Sequence, residues 1–362
     1  MIVRDEEENI GACLDSVAGL ADEIIVVDTG SSDASVAVAR GHGARVIARE
    51  WGDDFAAARN VGLDAARGVW VLYIDADERL RPHNPEAARR RLEGANEAAF
   101  RIHLRPFAHS TPYLEYRLWR AHPAIRFRGV IHEQVVDDIH RVAARDGRAV
   151  SDWPELELDH LGYDGDQARK HVRNLPLLRR RLEADPAAIF SWRHLSQVLL
   201  ATGDAGGAED ALERAVDLAR GEPQPSSDGS LAWGDLVRLR QERGGDVGEL
   251  LGEGKARWPQ NWQLVWIEGN VALDAGRLDE AIDCFRRLLA ANTADLAEQG
   301  VSYDGRIFGV FAQSSLGLAL FRAGRFAESA AAYAAAARLE PDNPEHEVKR
   351  TLAAARAGQP RD

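Results

Sequence analysis

Residues Val69–Leu80 read VWVLYIDADERL. A run of bulky apolar side chains ends abruptly in Asp75, Asp77 and Glu78, three carboxylates within four positions. A continuous apolar run bounded by polar residues reads as a strand buried on both faces, the form strands take in a parallel sheet. Three runs upstream have the same character: MIV (1–3), DEIIVVDTG (22–30) and ARVIARE (44–50). Helical patterns separate them, near Glu7–Leu20, from Ser35 to Gly41, and through DDFAAARNVGLDAARG (53–68). Strands alternating with helices in this way predict an α/β fold, a mostly parallel sheet with helices on both faces. Ligands of such sheets gather beyond the carboxyl ends of the strands, where Asp28 and Asp75 fall.

Downstream the pattern changes twice. From Ala98 to His160 it breaks into short strand-like pieces: AFRIHLR (99–105), LEYRLWR (114–120), RGVIHEQVV (128–136) and LELDHLG (156–162). These are expected to complete the sheet and wall one side of its cleft. After Asp164 the chain reads as helical throughout, with a weak repeat. Leu195, Leu199, Gly203, Ala208, Leu212 and Ala215 share their offsets with Leu316, Leu320, Gly324, Ser329, Tyr333 and Ala336, and Gly269, Gly276, Ala281 and Phe285 fit the same frame. ARWPQN (256–261) fits it poorly, and GEPQPSSDGS (221–230) reads as a loop between helix pairs. The predicted domains are therefore 1–163, the sheet domain, and 164–362, the helical repeats.

The composition narrows the functional classes. The net charge of −13 argues against nucleic acid as a partner, since that affinity rests on cationic contacts to phosphate. No apolar run approaches the roughly 20 residues a membrane-spanning helix needs, and MIVRDEEENI turns acidic too early for a secretory signal. Cys13 and Cys284 lie far apart and form no metal-like or redox-like pair. A cytoplasmic protein is the expectation.

Two D-x-D matches occur, and context separates them. Asp164 and Asp166 are placed to start a helix, where aspartates serve as caps. Asp75 ends a buried strand, where no cap is needed. Carboxylates grouped there repel one another unless a cation sits among them, and Mg²⁺ or Mn²⁺ commonly completes its shell with water and substrate phosphates. At the end of the second run, Asp28 is placed to accept hydrogen bonds from a base or ribose, while Asp33 is placed to cap the next helix. The turn between them lacks G-x-G-x-x-G spacing and the chain lacks a P-loop sequence, which disfavours a dinucleotide cofactor and ATP-type phosphoryl transfer. In FAAARN (55–60), Arg59 is placed either to pair with a phosphate or to hold the aspartates.

MIVRDEEENIGACLDSV, ADEIIVVDTGSSD, EWGDDFAAARN and WVLYIDADERL, in that order and spacing, resemble the family 2 glycosyltransferases of the GT-A (Rossmann-like) fold. The similarity is to a bacterial subgroup with tetratricopeptide repeats after the transferase domain, Pro341 standing where the repeat places its terminal proline. The resemblance implies a nucleotide-diphosphate-sugar donor, a divalent metal (Mn²⁺ or Mg²⁺) and inversion at the anomeric carbon. On the matching positions, the segment Val3 to Glu6 and Asp28 face the nucleoside, and Arg59 lies by the base or diphosphate. Asp75 approaches the ribose or sugar, and Asp77 binds the metal. Glu78 is read as a supporting or solvated neighbour. LWRAHPAIRFRGVIHEQV and LDHLGY also fit the subgroup, which makes His132 and His160 candidate further metal ligands and Glu133 the candidate base for the acceptor. The repeats imply a groove for a peptide, protein or glycan acceptor, or for a second subunit of a homodimer. Two departures accompany the match. The family carries several strand residues before MIV, so either the first strand is short or the start lies upstream, and Asp5 replaces the usual asparagine. The alternatives are a non-catalytic interaction scaffold with a degenerate transferase domain, a retaining transferase, distinguished by product stereochemistry, and a sugar nucleotidyltransferase, whose basic glycine-rich first loop VRDEEEN does not match.

Overall fold

The computed structural model describes residues 1–82, 84–107, 109–161 and 167–359. The second D-x-D pair, Asp164 and Asp166, lies outside them. The chain forms two compact units: Met1–Ala108 with Pro112–Ala208, and His109–Thr111 with Glu209–Asp362. The helical pattern begins at Gln167, so the first two helices after the sheet group with it rather than with the later repeats.

In the first unit, β1 (Ile2–Val3), β2 (Ile25–Asp28) and β3 (Arg45–Ala48) pair in parallel in the order β1-β2-β3. The helices α1 (Ile10–Val17) and α2 (Ser35–Gly41) connect them. Val3, Ile10, Leu14, Val26, Ala39 and Ala76 make one buried cluster, as the uninterrupted apolar runs require. α3 (Phe55–Ala65) begins at Asp54, whose side chain accepts the Ala57 N–H.

From β4 onward the pairing differs from the parallel expectation. β4 (Trp70–Leu72), β5 (Glu78–Pro82), β6 (Ala99–Arg105), β7 (Tyr113–Arg120) and β8 (Val150–His160) form a second sheet in the order β4-β7-β6-β8-β5. Only β6 and β8 run parallel there. β6 and β7 are joined by the segment from Pro106 to Pro112, too short for a parallel crossover. Two helices interrupt the strand-like pieces. α4 (Pro85–Gly94) is capped by Asn84 with Pro85 in its first turn. α5 (Val136–Asp146) ends at Gly147 with φ 62°, and buries Ile139 and Val142 under Trp119 and Phe127. RGVIHEQVV is accordingly a bent loop running into α5, with one bridge between Arg128 and Gln134.

β1 supplies only two residues, and a cavity of about 500 Å³ opens between Ile24–Ile25 and Trp70–Leu72. Its walls include Leu20, Leu63, Leu92 and Phe127; Arg59 and Tyr73 reach it, but Asp28, Asp75 and Asp77 do not line it. α6 (Gln167–Ala184) and α7 (Ile189–Ala201) complete the unit.

The second unit continues from α8 (Ala205–Gly221) through α9 (Ser227–Glu242), α10 (Gly248–Arg257), α11 (Trp262–Asp274), α12 (Leu278–Ala290), α13 (Val310–Arg322) and α14 (Phe326–Leu339) to α15 (Pro344–Ala357). The repeated glycines have a physical reason. Gly276 and Gly324 turn between paired helices at φ 74° and 72°, and Gly269 and Gly317 let the helices close. A Cβ on Gly269 would stand 2.7 Å from Phe285, and one on Gly317 2.9 Å from Tyr333. No helix among the described residues is long and apolar enough to cross a membrane. Cys13 and Cys284 are both free and buried.

Candidate active site

The carboxyl ends of β1 and β2 are tied together before any acid is considered. Val3 and Asp28 are paired in register, and the Val3 carbonyl accepts both the N–H and the hydroxyl of Thr29, at 2.9 and 3.0 Å. Val3 is buried in the core, so of this segment it is the backbone that is offered to the strand ends. Asp28 folds its carboxylate back on the turn, accepting from Gly30 N at 3.4 Å and Ser31 N at 3.1 Å. Asp5 takes the left-handed φ of 55°, which aspartate tolerates, and accepts the N–H and hydroxyl of Ser32. Its extra charge is thus used to join the two loops. Asp33 accepts Ser35 N at 2.9 Å as a helix-start residue does, and also Glu7 N.

Asp75 lies at the centre of a buried ion-pair cluster. Arg59 grips it with two bonds of 2.8 and 3.3 Å and donates its Nε–H to Glu133. Arg59 and Glu133 side chains are each only 9% exposed. The guanidinium also lies 4.3 Å from the centre of the Tyr73 ring, whose hydroxyl donates to Asp75 at 3.0 Å. Of the two roles open to Arg59, the geometry gives the second: it holds Asp75 and Glu133. Burial alone would raise the Asp75 carboxyl, but Arg59, backed by Arg117, outweighs burial and holds it below the usual carboxylate range. Asn60 exchanges two 3.0 Å bonds with the Phe127 backbone, and Phe55 N donates to Val130 O. The ARN segment therefore anchors the loop that carries Glu133.

Glu78 is buried, at 2% exposure, and not solvated. It is forked by Arg117 at 2.9 and 3.1 Å and accepts Asp75 N at 2.8 Å. Burial and the Asp75 charge push its carboxyl up to about 7 against the pull of Arg117. Glu78 is thus the supporting neighbour and not the solvated one, and it works with Tyr73 and Arg117, which the sequence did not mark because they come from distant segments.

Asp77 is different. Its backbone carbonyl accepts Leu161 N, and its Oδ2 meets His160 Nε2 at 3.2 Å and Lys170 Nζ at 3.7 Å. β5 and β8 pair Glu78 with His160 in register, which brings the histidine to the D-x-D turn. Burial opposes the charge on both partners, but their mutual hydrogen bond and charge win: the imidazole is raised and the carboxyl lowered. Glu6 joins this acidic group; burial, then Asp77 and Asp75, raise its carboxyl although Asn9 donates to it at 3.1 Å.

Among the described residues no group of three His, Cys, Asp or Glu is placed to hold a metal ion; Asp77 Oδ2 and His160 Nε2, 3.2 Å apart, offer two donor types that a divalent cation accepts. His132 does not join them. Its φ is 53°, its Nε2 lies 2.6 Å from His194 Nδ1, and its ring packs edge-on against Phe190. Burial, with Arg181 nearby, lowers its imidazole to about 4. His194 and Lys170 come from the helices after the sheet, where the sequence showed only a basic, helical run.

The sequence profile described as Glycosyl transferase family 2 matches residues 1–138. A TPR repeat-containing protein of Synechococcus elongatus is 32% identical over 304 residues, covering 80% of this chain and 74% of that protein. The SPbeta prophage-derived glycosyltransferase SunS of Bacillus subtilis is 26% identical over 204 residues, 51% of this chain and 45% of that one. Among solved structures, a crystal structure of MamA protein aligns with 51% of this chain and 86% of its own, at 18% identity and a TM-score of 0.35. With the strand-end acids and the helical repeats in place, the chain belongs to glycosyl transferase family 2 and is a glycosyltransferase with a C-terminal tetratricopeptide-like repeat region.

Proposed function

We propose that the protein moves a sugar, with inversion, from a nucleoside-diphosphate-sugar to an acceptor, using a divalent cation held by Asp77 and His160. The observation that carries this reading is the 3.2 Å pair of Asp77 and His160 at the strand ends, outside the arginine-neutralised cluster. Mn²⁺ or Mg²⁺ bound there supplies positive charge to the leaving diphosphate. Asp77 and His160 fix where that charge sits. Asp28, Glu6 and the Ser31–Ser32 turn form the nucleoside side, and Asp75, immobilised by Arg59, faces the ribose or sugar. Glu133 is the proposed base: Arg59 occupies its Oε1, which fixes the carboxylate but weakens it as a base, so Oε2 is the oxygen that takes the acceptor proton. The helical repeats offer an extended surface for a peptide or protein acceptor.

A thermal-shift panel of UDP-, GDP- and dTDP-sugars, with Mn²⁺ or with chelator, tests the reading. Stabilisation by a donor only when metal is present is the expected result. Stabilisation indifferent to chelator removes the metal from the proposal, and no response to any donor favours a non-catalytic scaffold.

A further inference from the structure

Resting on that reading, we propose that Lys170 exchanges partners at the site: it pairs with Asp77 when the donor is absent and with the donor diphosphate when a divalent cation occupies Asp77. The same Asp77 oxygen, Oδ2, faces both His160 Nε2 at 3.2 Å and Lys170 Nζ at 3.7 Å. A cation binding to that carboxylate places two positive charges beside the ammonium, which then repel. Lysine is a compact point charge on a flexible four-carbon stem, so it can swing away rather than unfold its helix.

The surroundings give it a destination. Arg173 stands one helical turn further along α6, on the same face as Lys170. Its guanidinium lies 5.1 Å from the centre of the Phe55 ring, at the start of α3. It is close enough to Arg4 to be repelled and to Glu6 to be attracted, the latter on the acid floor beside Asp77. Lys170 and Arg173 thus form a basic pair on one face of α6, with Asp77 facing the lysine and Glu6 attracting both. A diphosphate bound at the cation gives the displaced ammonium an anionic partner. On this account α6 belongs functionally to the transferase: it carries a residue that guards the metal site when empty and positions the donor when full.

The exchange makes two affinities move in opposite directions. In the full chain, K170M should bind Mn²⁺ alone several-fold more tightly than wild type, because a competing cation has left Asp77. With saturating Mn²⁺, the same variant should bind the nucleoside diphosphate (UDP, GDP or dTDP, whichever wild type takes) roughly tenfold more weakly, the scale of one lost charge-assisted hydrogen bond. K170R should keep the diphosphate affinity near wild type. Free-Mn²⁺ electron paramagnetic resonance and calorimetry read the two constants separately. If K170M lowers both affinities, or changes neither while wild type binds both ligands, the exchange is wrong. If wild type itself binds no nucleoside diphosphate with Mn²⁺, the donor reading beneath it fails instead.

Discussion

Asp75 and Asp77 are two residues apart, yet they live in different electrostatic worlds. Asp75 is clamped by Arg59, hydrogen-bonded by Tyr73 and backed by the Arg117–Glu78 pair, so its charge is answered within the protein. Asp77 is answered by a histidine at 3.2 Å and a lysine at 3.7 Å. Both lie between β4 and β5, and neither is sorted by burial, since the Asp75 side chain is 28% exposed and that of Asp77 12%; their partners make the difference. The D-x-D pair is therefore not symmetrical: Asp75 is locked by Arg59, and Asp77 is the acid the proposal assigns to the cation.

The sharpest way to break that division is to remove the clamp. R59M leaves the buried Glu133 and the partly exposed Asp75 without their cation, and losing one partner of a buried pair such as Arg59–Glu133 costs about 3–5 kcal/mol. Urea unfolding should show the loss in the absence of any ligand. A variant as stable as wild type would mean that Arg59 is not structural and is free for the donor.

The histidines extend the contrast to acid pH. Unfolded imidazole titrates near 6.5 and folded His132 near 4, with His194 also held well below 6.5 by burial. Between those values the unfolded chain binds the extra protons, so stability present at neutral pH is lost as pH falls from 6.5 toward 4. For His132 alone the loss by pH 5 is roughly 2 kcal/mol. His160 has the opposite sign: raised by Asp77, its pair is complete below 6.5 and fades as pH rises through its folded pKa. Chelator-treated protein carrying H132N and H194Q, with asparagine suited to the left-handed backbone at 132, should show a flatter stability profile between pH 7 and 5. An unchanged slope would place the acid loss elsewhere.

Smaller effects refine the picture. Y73F removes one hydroxyl from Asp75 and should cost about 1–2 kcal/mol, measured as a lower urea midpoint, with Arg59 still in place. D77A should lower ligand-free stability by less than R59M does, since the partners it leaves behind, His160 and Lys170, are 24% and 40% exposed. A large loss from D77A and none from Y73F would invert the assignment of locked acid and ligand.

The first three strands and their helices could be read from the sequence because buried parallel strands leave unbroken apolar runs, such as Ile24 to Val27. The antiparallel half was less legible. α5 hides in VVDDIHRVAARDG because its start, beside β-branched valines, looks like strand, and only Ile139, Val142 and Gly147 betray it. At the site, Asp77 and His160 were visible only as separate candidates, and His132 looked equivalent to His160, yet it pairs with His194 instead of approaching Asp77. Nothing local distinguishes them: β8 carries one to the D-x-D turn, while a bent loop turns the other toward Phe190 and His194. Arg117 and Lys170 escaped notice, and the burial of Glu78 with them, for the same reason, since their partners are set by strand register and helix placement rather than by periodicity.

The central claim is that Asp77 and His160 hold a cation that admits the donor, and calorimetry on ligand-free protein tests it directly. Wild type should bind Mn²⁺ and, only then, a nucleoside diphosphate; D77A and H160A should lose both bindings while remaining folded. Full Mn²⁺-dependent diphosphate binding by D77A would contradict the account.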